Sequence, residues 1–322
     1  MEDSDPFVVA VLVTHTVSFG IGAFGSLFVL GCVLFATPKN IREYALMVGV
    51  EAVADFIVSV TMFLLQPRII PKNKMFAFLV YGPARHFSPY TCLVLFSFLT
   101  YALFYGIALF PFTFAFRYYV IRRNNPSVRQ VLSLCIGIGI FCLAIPIICL
   151  TSETDTGIVV NFMLENAPYV RVTEDYALIG IDAGAHPQFF LIVAAIVIPS
   201  IPLYCGVLFL RSKIIGHVDT STLHEKTKHA HRRLIHALTV HALLPVFFIF
   251  PPTILYVLYH LEVVHFREME FIIFSSYAFV SVFNPYINIV FIRAYWDQAK
   301  RFLKLSCFSK TPSASSVLAS AP

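Results

Sequence analysis

The stretch FPFTFAFRYYVIRR, residues 110–123, joins a run of aromatic side chains to a group of cations. Between residues 89 and 116 no Asp, Glu, Lys or Arg occurs. A helix needs about 20 apolar residues to cross the hydrocarbon core of a bilayer, so this run is long enough to span a membrane. Arg117 then lies where such a helix would leave the lipid, and its long stem can reach the membrane interface from there.

The composition of the whole chain indicates the same lipid surroundings. Of its 322 residues 58% are hydrophobic and 13% are charged, whereas soluble domains carry about 25% charged residues. This balance excludes a soluble globular protein, and the net charge of +5 does not suggest a nucleic-acid partner. We therefore predict an all-α membrane protein, a seven-transmembrane helix bundle with a short C-terminal amphipathic helix. The predicted helices are 8–36, 44–66, 89–120, 129–150, 187–211, 234–259 and 271–293, followed by the interfacial helix 294–306.

Charged residues in the connecting segments predict the orientation of this bundle. Lys and Arg prevail in the segments on one side and Asp and Glu on the other, and basic residues favour the cytoplasmic side. Residues 1–7 are then extracellular, residues 8–306 form the seven-helix receptor domain, and residues 307–322 form a disordered cytoplasmic tail. The segment 67–88 opposes this assignment, because it places Arg68 and further cations outside.

Several stretches, spread from the second predicted helix to the C-terminal end of the seventh, resemble the nematode serpentine chemoreceptors of class delta, the Srd family. They are QPRIIP (66–71), YGPARHFSPYTC (81–92), FAFRYYVIRR (114–123), HALTVHALLPVFF (236–248) and FNPYINIVFIRAYWDQAKRF (283–302). This family resembles the larger group of rhodopsin-like G-protein-coupled receptors. The resemblance implies a multi-pass receptor of the plasma membrane, with the sensory cilium as a candidate location. It also implies that the receptor binds a small odorant and signals to a heterotrimeric G protein.

The resemblance assigns roles to individual residues. It places helix hinges at Pro245 and Pro285, and a G-protein-coupling surface at the inner end of the third helix. The coupling residues would be Arg117, Tyr118, Tyr119, Arg122 and Arg123. The sequence also departs from the rhodopsin-like pattern, because Phe116 replaces the acid that usually precedes the arginine and Asn288 replaces a tyrosine. The ionic lock and the tyrosine switch of that group are therefore not carried over.

Glu51 and Asp55 place two carboxylates on one face of the second predicted helix, since residues four apart are neighbours on a helix. A carboxylate at membrane depth costs at least about 2.5–3.5 kcal/mol on insertion scales, and Asn284 and Asn288 of the seventh helix are candidate partners. Two interpretations are open. The four residues form a polar switch, with Asp55 at the position that binds sodium in many rhodopsin-like receptors, or they only fix the packing of the bundle by hydrogen bonds.

The ligand cavity is expected between the outer halves of the third, fifth, sixth and seventh helices. Leu99 stands where amine receptors carry an aspartate, so an amine anchor of that kind is absent. Together with Thr100 and Phe104 it belongs to a largely aromatic segment. Such a wall predicts an apolar volatile or lipid-like ligand, although the same side chains would also suit contacts with lipid or with the core.

The seven cysteines lie mostly inside apolar runs and predict no disulfide framework. One pairing, Cys92 with Cys149, is left open. Cys307 follows the predicted interfacial helix and is a candidate for S-palmitoylation, with an unmodified tail cysteine as the alternative. No arrangement of His, Cys and carboxylates along the sequence predicts a metal site or a cofactor.

Two other classes of membrane protein make different sequence predictions. A multi-span transporter or channel, the alternative function, predicts internal repeats or a line of intramembrane charges, and the sequence shows neither. An intramembrane enzyme predicts a metal-binding, nucleophilic or paired-aspartate motif, which is also missing. The sequence therefore favours a chemosensory receptor that is not an enzyme, with a small-molecule ligand, a heterotrimeric G protein and the lipid bilayer as partners.

Overall fold

The computed structural model describes residues 5–72, 74–122, 126–170, 176–220, 225–260, 263–264 and 266–308. In this part of the chain the α-helices form a bundle, and three β-strands form a small sheet at one end of it. The helices are α1 (Pro6–Phe35), α2 (Arg42–Leu65), α3 (Pro89–Arg122), α4 (Val128–Cys142), α5 (Ala144–Thr151), α6 (Thr156–Asn166), α7 (Phe189–Thr220), α8 (Glu225–Phe248), α9 (Phe250–His260), α10 (Met269–Phe291) and α11 (Arg293–Phe308). The strands are β1 (Pro67–Lys72), β2 (Met75–Val80) and β3 (Ala177–Asp182).

The helices confirm the predicted all-α membrane bundle. Within the described residues, six helical stretches are long and apolar enough to cross a membrane, namely Pro6–Phe35, Arg42–Leu65, Pro89–Val120, Val128–Thr151, Thr239–Tyr259 and Met269–Phe291. A further long helix, α7, carries no charged residue between residues 189 and 210. The observed bounds differ most from the predicted ones at the fifth and sixth spans, because α7 continues to Thr220 and α8 already begins at Glu225.

Proline breaks two of the spans. Pro146 has no N–H to donate to the carbonyl of Cys142, and α4 ends at that residue before α5 begins. In the same way Pro252 cannot donate to Phe248, the last residue of α8, and the chain continues as α9 after Ile249. The helical hydrogen bonding of the fourth and sixth spans is therefore interrupted near a proline, the kind of position at which a helix commonly kinks.

The sheet joins the two long connecting segments, residues 67–88 and 151–186, and the sequence analysis did not predict it. β1 and β2 form an antiparallel hairpin in which Ile69 lies opposite Phe78, and β3 pairs antiparallel with β2. Nearly every strand residue is buried. A strand that is buried on both faces shows no alternation of polar and apolar residues, so the pattern that usually indicates a strand is missing here.

The two faces of the sheet pack against different parts of the molecule, because side chains alternate along a strand. Ile69 and Phe78 belong to the core of the bundle, whereas Leu79 packs with Val159 of α6 on the opposite face. The contact with α6 is so close that a Cβ atom on Gly180 would lie 2.1 Å from the Val159 side chain. The sheet is thus a layer between the bundle and α6, and we call this end of the molecule the sheet end.

An ion pair fastens the sheet to the bundle. Nε of Arg68 in β1 lies 2.6 Å from Oε2 of Glu270 in α10, and neither side chain is exposed. Arg68 also donates to the hydroxyl of Tyr81, while Oε1 of Glu270 accepts from Tyr169 at 2.5 Å and from Tyr259 at 2.9 Å. Arg68, one of the cations that opposed the predicted orientation of the chain, is therefore neutralised inside the protein.

Removing one member of this pair should destabilise the protein more than removing both. Arg68→Met leaves the Glu270 carboxylate buried without its cation, at a cost of about 3–5 kcal/mol. The double variant Arg68→Met with Glu270→Leu removes both charges, and its unfolding midpoint should lie above that of the single variant. Thermal unfolding of the purified full chain in detergent measures this order, with a thiol-reactive dye that labels the buried cysteines as they become accessible.

An exposed pair in α11 provides the control for this experiment. Nε of Arg293 lies 3.9 Å from Oδ2 of Asp297, and the two side chains are 86% and 52% exposed. Asp297→Asn should therefore change the stability by less than about 1 kcal/mol. A double variant at Arg68 and Glu270 that unfolds as early as Arg68→Met alone would contradict the role assigned to the buried pair.

Candidate functional site

A cavity of about 200 Å³ lies inside the bundle beneath the sheet. The residues of α3 that line it run from Phe96 to Pro111, a rise of about 22 Å at 1.5 Å per residue, so the cavity is long and narrow. We call Ile69, Phe76 and Phe78 of the sheet its roof. We call the polar residues at the other end, Glu51, Asp55, His241 and Asn284, its floor.

Aromatic contacts join the roof to the surrounding helices. The ring of Phe78 lies 4.5 Å from that of Phe96 in α3 and 6.3 Å from that of Phe274 in α10, measured between centroids. Phe76 contacts Phe189 at the start of α7 at 5.1 Å. The roof and the phenylalanines of α3, α7 and α10 that contact it therefore form one apolar, aromatic surface. Such a surface suits a ligand with a hydrophobic body.

The floor connects three helices through polar side chains. Nδ2 of Asn284 in α10 donates to Oδ1 of Asp55 in α2 at 3.2 Å. Glu51, one turn earlier in α2, is in hydrogen-bonding contact with Asn288. His241 of α8 contacts the side chains of both asparagines. The structure thus brings together the four residues of the predicted polar cluster and adds His241. The sequence did not assign His241 to the cluster, because a single histidine in an apolar helix does not indicate which residues it faces.

Arg117 occupies the end of the bundle opposite to the sheet, here called the Arg117 end. It is only 8% exposed, and its Cζ lies 3.3 Å from the centre of the Tyr44 ring in α2. The expectation that its stem reaches the membrane interface is therefore wrong, because the guanidinium turns inward to a cation–π contact. Its Nε and Nη2 atoms have no hydrogen-bond partner among the described residues.

The other predicted coupling residues are placed differently from Arg117. Tyr118 packs against Ile214 of α7, and Tyr119 is 43% exposed. The side chain of Arg122 and all of Arg123 lie outside the described part of the chain. In this conformation Tyr119 is therefore the described coupling residue that a protein partner could touch most readily.

The predicted cavity residues and hinges divide into two groups. Thr100 and Phe104 line the cavity, whereas Leu99 is fully buried in the neighbouring core and does not line it, because adjacent positions of a helix are turned by about 100°. Pro245 also lines the cavity and lies inside α8, one turn before the break between α8 and α9. Pro285 lies inside an unbroken α10.

The two cysteines whose pairing was left open are both free. The thiol of Cys92 donates to the carbonyl of Ala84 at 3.2 Å, and that of Cys149 lies 3.7 Å from the hydroxyl of Thr100. The side chain of Cys307, the candidate for palmitoylation, lies outside the described residues. Among the residues that are described, no group of three or more His, Cys, Asp or Glu is arranged to hold a metal ion.

The amphipathic helix α11 lies against the first span at the Arg117 end. Phe302 contacts the rings of Phe24 and Phe28, and the buried hydroxyl of Tyr295 lies 3.0 Å from that of Thr37. Burial raises the pKa of Tyr295 to about 12, so this hydroxyl stays neutral. With exposed cations such as Lys300 on its other side, the helix has the character of an interfacial helix.

A bundle of apolar helical spans with a cavity between the helices and a buried polar floor is the architecture of a serpentine membrane receptor. Comparison with known families agrees with this class. Residues 11–301 match the family described as "Serpentine type 7TM GPCR chemoreceptor Srd". The chain therefore belongs to the Srd family of serpentine chemoreceptors, which is a receptor family and not an enzyme family.

Curated relatives extend over the same region. The chain is 26% identical to serpentine receptor class delta-18 of Caenorhabditis elegans, covering 88% of this chain and 85% of the relative. It is 25% identical to class delta-19 of the same organism, again over 88% and 85%. Class delta-59 is 26% identical over 72% of both chains. These matches confirm the resemblance on which the residue assignments were based.

We expect the buried side chain of Arg117 to lower the stability of the conformation described here. A buried charge whose hydrogen bonds are incomplete is destabilising compared with an apolar side chain of similar volume. We expect Arg117→Met to keep or raise the unfolding midpoint of the purified chain, in contrast to Arg68→Met, which lowers it. A midpoint lowered as far as in Arg68→Met would show that the Tyr44 contact fully compensates the buried charge.

Proposed function

We propose that this chain is a chemosensory G-protein-coupled receptor that binds a small environmental or odorant molecule in the cavity beneath the sheet. The observation that carries the proposal is the cavity itself, which has an aromatic wall and a roof held by a buried ion pair. Its floor joins α2, α8 and α10 through the side chains of Asp55, His241 and Asn284. A molecule that occupies the cavity therefore contacts three helices at once.

Signalling through a heterotrimeric G protein would follow from a change in the packing of these helices. A ligand shifts an equilibrium toward the conformation that it binds more tightly. Ligand contacts at the floor would displace α8 relative to α10, and a bend at the interruption near Ile249 would let α8 move without α9. Such a movement would open the Arg117 end and expose the guanidinium to a partner. The buried position of Arg117 supports this proposal, since it keeps the charge away from a partner until the bundle opens.

The orientation belongs to the same proposal. We place the sheet end outside the cell and the Arg117 end, with α11, on the cytoplasmic face of the plasma membrane, with the sensory cilium as a candidate location. The neutralisation of Arg68 supports this orientation, because the connecting segment that carried the contrary charges contributes one cation less to the surface. Epitope labels at both termini, probed on intact and on permeabilised cells, test it, and two termini on the same face would overturn it.

Filling the cavity should abolish the response to ligand without harming the fold. Gly106 lines the cavity, and a Cβ atom built on it has no neighbour within 4 Å. Gly106→Leu would therefore occupy ligand space without a clash at Cβ, and leucine is also the better helix former by about 0.5–1 kcal/mol. The measurement is the calcium or cyclic-nucleotide response of cells that express the chain, against a panel of volatile compounds, with surface expression quantified in parallel.

Gly137 in α4 provides the matched control. It is exposed, a Cβ atom on it also has no neighbour within 4 Å, and it does not line the cavity. We expect Gly137→Leu to respond like the original chain and Gly106→Leu to be silent at equal surface expression. An unchanged dose–response curve for Gly106→Leu, or silence of the original chain across the whole panel, would contradict the proposed function.

A further inference from the structure

One oxygen atom of Asp55 has no hydrogen-bond partner within the part of the chain that the structure describes. Its Oδ1 accepts a hydrogen bond from Asn284, but Oδ2 has no hydrogen-bond partner among the described residues. The residue is buried, with only 8% of its surface exposed. Asp55 lines the floor of the cavity. A buried carboxylate oxygen without a partner is expensive in free energy, so this site is suited to a ligand that supplies the missing interaction.

Apart from His241, the ionisable side chains beside this oxygen are acidic rather than basic. Glu51 lies one helical turn before Asp55 and lines the same cavity, and no Lys or Arg occurs among the described residues that line it. The nearest cation at that end, Arg117, packs against Tyr44 and is not part of the lining. Two carboxylates that face one space repel each other when both are ionised, and a positive charge between them removes that repulsion.

The shape of the cavity adds the second part of the ligand. The lining along α3 extends from Phe96 near the roof to Pro111, and most of the side chains between roof and floor are apolar or aromatic. A bare metal ion would satisfy the carboxylate and leave this apolar space empty. An anion would face Glu51 and Asp55, and a neutral alcohol would provide a hydrogen bond without a compensating charge.

We propose that the ligand is an elongated apolar or aromatic amine, whose protonated nitrogen binds the free Oδ2 atom of Asp55 while its body lies along the aromatic wall beneath the roof. This inference names the ligand class of the receptor function proposed above and rests on it. The carboxylate comes from the second span, and not from the third-span position that Leu99 occupies.

A binding experiment on the purified full chain in detergent tests the ligand class directly. The probes are 4-phenylbutylamine and 4-phenylbutan-1-ol, which share one body and differ in the charged nitrogen. A ligand that binds only the folded state raises its stability, so the amine at saturation should raise Tm by roughly 2–4 °C. The alcohol at the same concentration should give a much smaller shift.

Variants at the floor assign the effect to Asp55. Asp55→Asn keeps the acceptor for Asn284 but removes the charge. This variant should lower the affinity for the amine by roughly 30-fold or more. Glu51→Gln should weaken it less, since Glu51 also contacts Asn288. Asp297→Asn, which removes an exposed carboxylate from α11, should leave the shift unchanged. If Asp55→Asn does not fold, the comparison of amine with alcohol on the original chain decides the question.

Three results would overturn the inference: equal shifts from amine and alcohol, an amine shift that persists in Asp55→Asn, or a shift from sodium chloride with none from the amine. Cell signalling separates this inference from the proposed function. Amine binding that depends on Asp55 but produces no G-protein response would refute the receptor function and keep the inference. A cellular response to alcohols that is independent of Asp55 would refute the inference and keep the receptor.

Discussion

The ion pair between Arg68 and Glu270 holds the outer layer of the molecule in place. It joins β1 to the first turn of α10 across 202 positions of the chain, and three tyrosine hydroxyls form hydrogen bonds with its two members. Burial and the contact with Glu270 raise the pKa of Tyr169 above its ordinary value, so that hydroxyl keeps its proton and donates a hydrogen bond to the carboxylate. Because both charges are fully buried, the pair remains favourable only while the sheet stays docked, and the roof of the cavity depends on that docking.

Two arginines, Arg68 and Arg117, are buried among the described residues, and their surroundings differ. Arg68 is surrounded by a carboxylate and hydroxyls, and it stabilises the sheet end. Arg117 contacts an aromatic ring, and two of its nitrogen atoms have no hydrogen-bond partner in the described residues. Under the proposed function this difference has a consequence, because the Arg117 end is the less stable of the two and opens at a smaller cost. A residue that breaks a packing rule in this way is commonly a functional one.

Parts of this structure were predictable from the sequence because they depend on local properties. Lipid requires long apolar helices, so the spans appear as uninterrupted apolar runs, and the spacing of Glu51 and Asp55 already placed both acids on one helix face. The sheet was not predictable, because the residues of β2, MFAFLV, are buried on both faces and carry no alternating pattern. The partner of Arg68 was equally hidden, since nothing in a single sequence connects it to Glu270.

The site shows the same division between local and distant information. Asn284 was a candidate partner of Asp55 on chemical grounds, and the structure brings the two within 3.2 Å. His241 was expected only as a hydrogen-bonded packing residue and was not assigned to this cluster, because a single histidine in an apolar helix gives no indication of the face on which it lies. The inward turn of Arg117 was also missed, since positive charge at the end of a span usually reaches the interface, and only the position of Tyr44 on the neighbouring α2 explains why it does not.

The sixth span shows how these features act together under the proposed function. Its outer half, α9, is tied to Glu270 through Tyr259, and Glu270 is itself held by Arg68, so this half is fixed to the sheet. Its inner half, α8, begins below the break at Ile249 and carries His241 of the floor. Under the proposed function a ligand that rearranges the floor would act on α8, while the roof above it stays closed. The difference between an outer half tied to Glu270 and an inner half that carries part of the floor would direct the change toward Arg117.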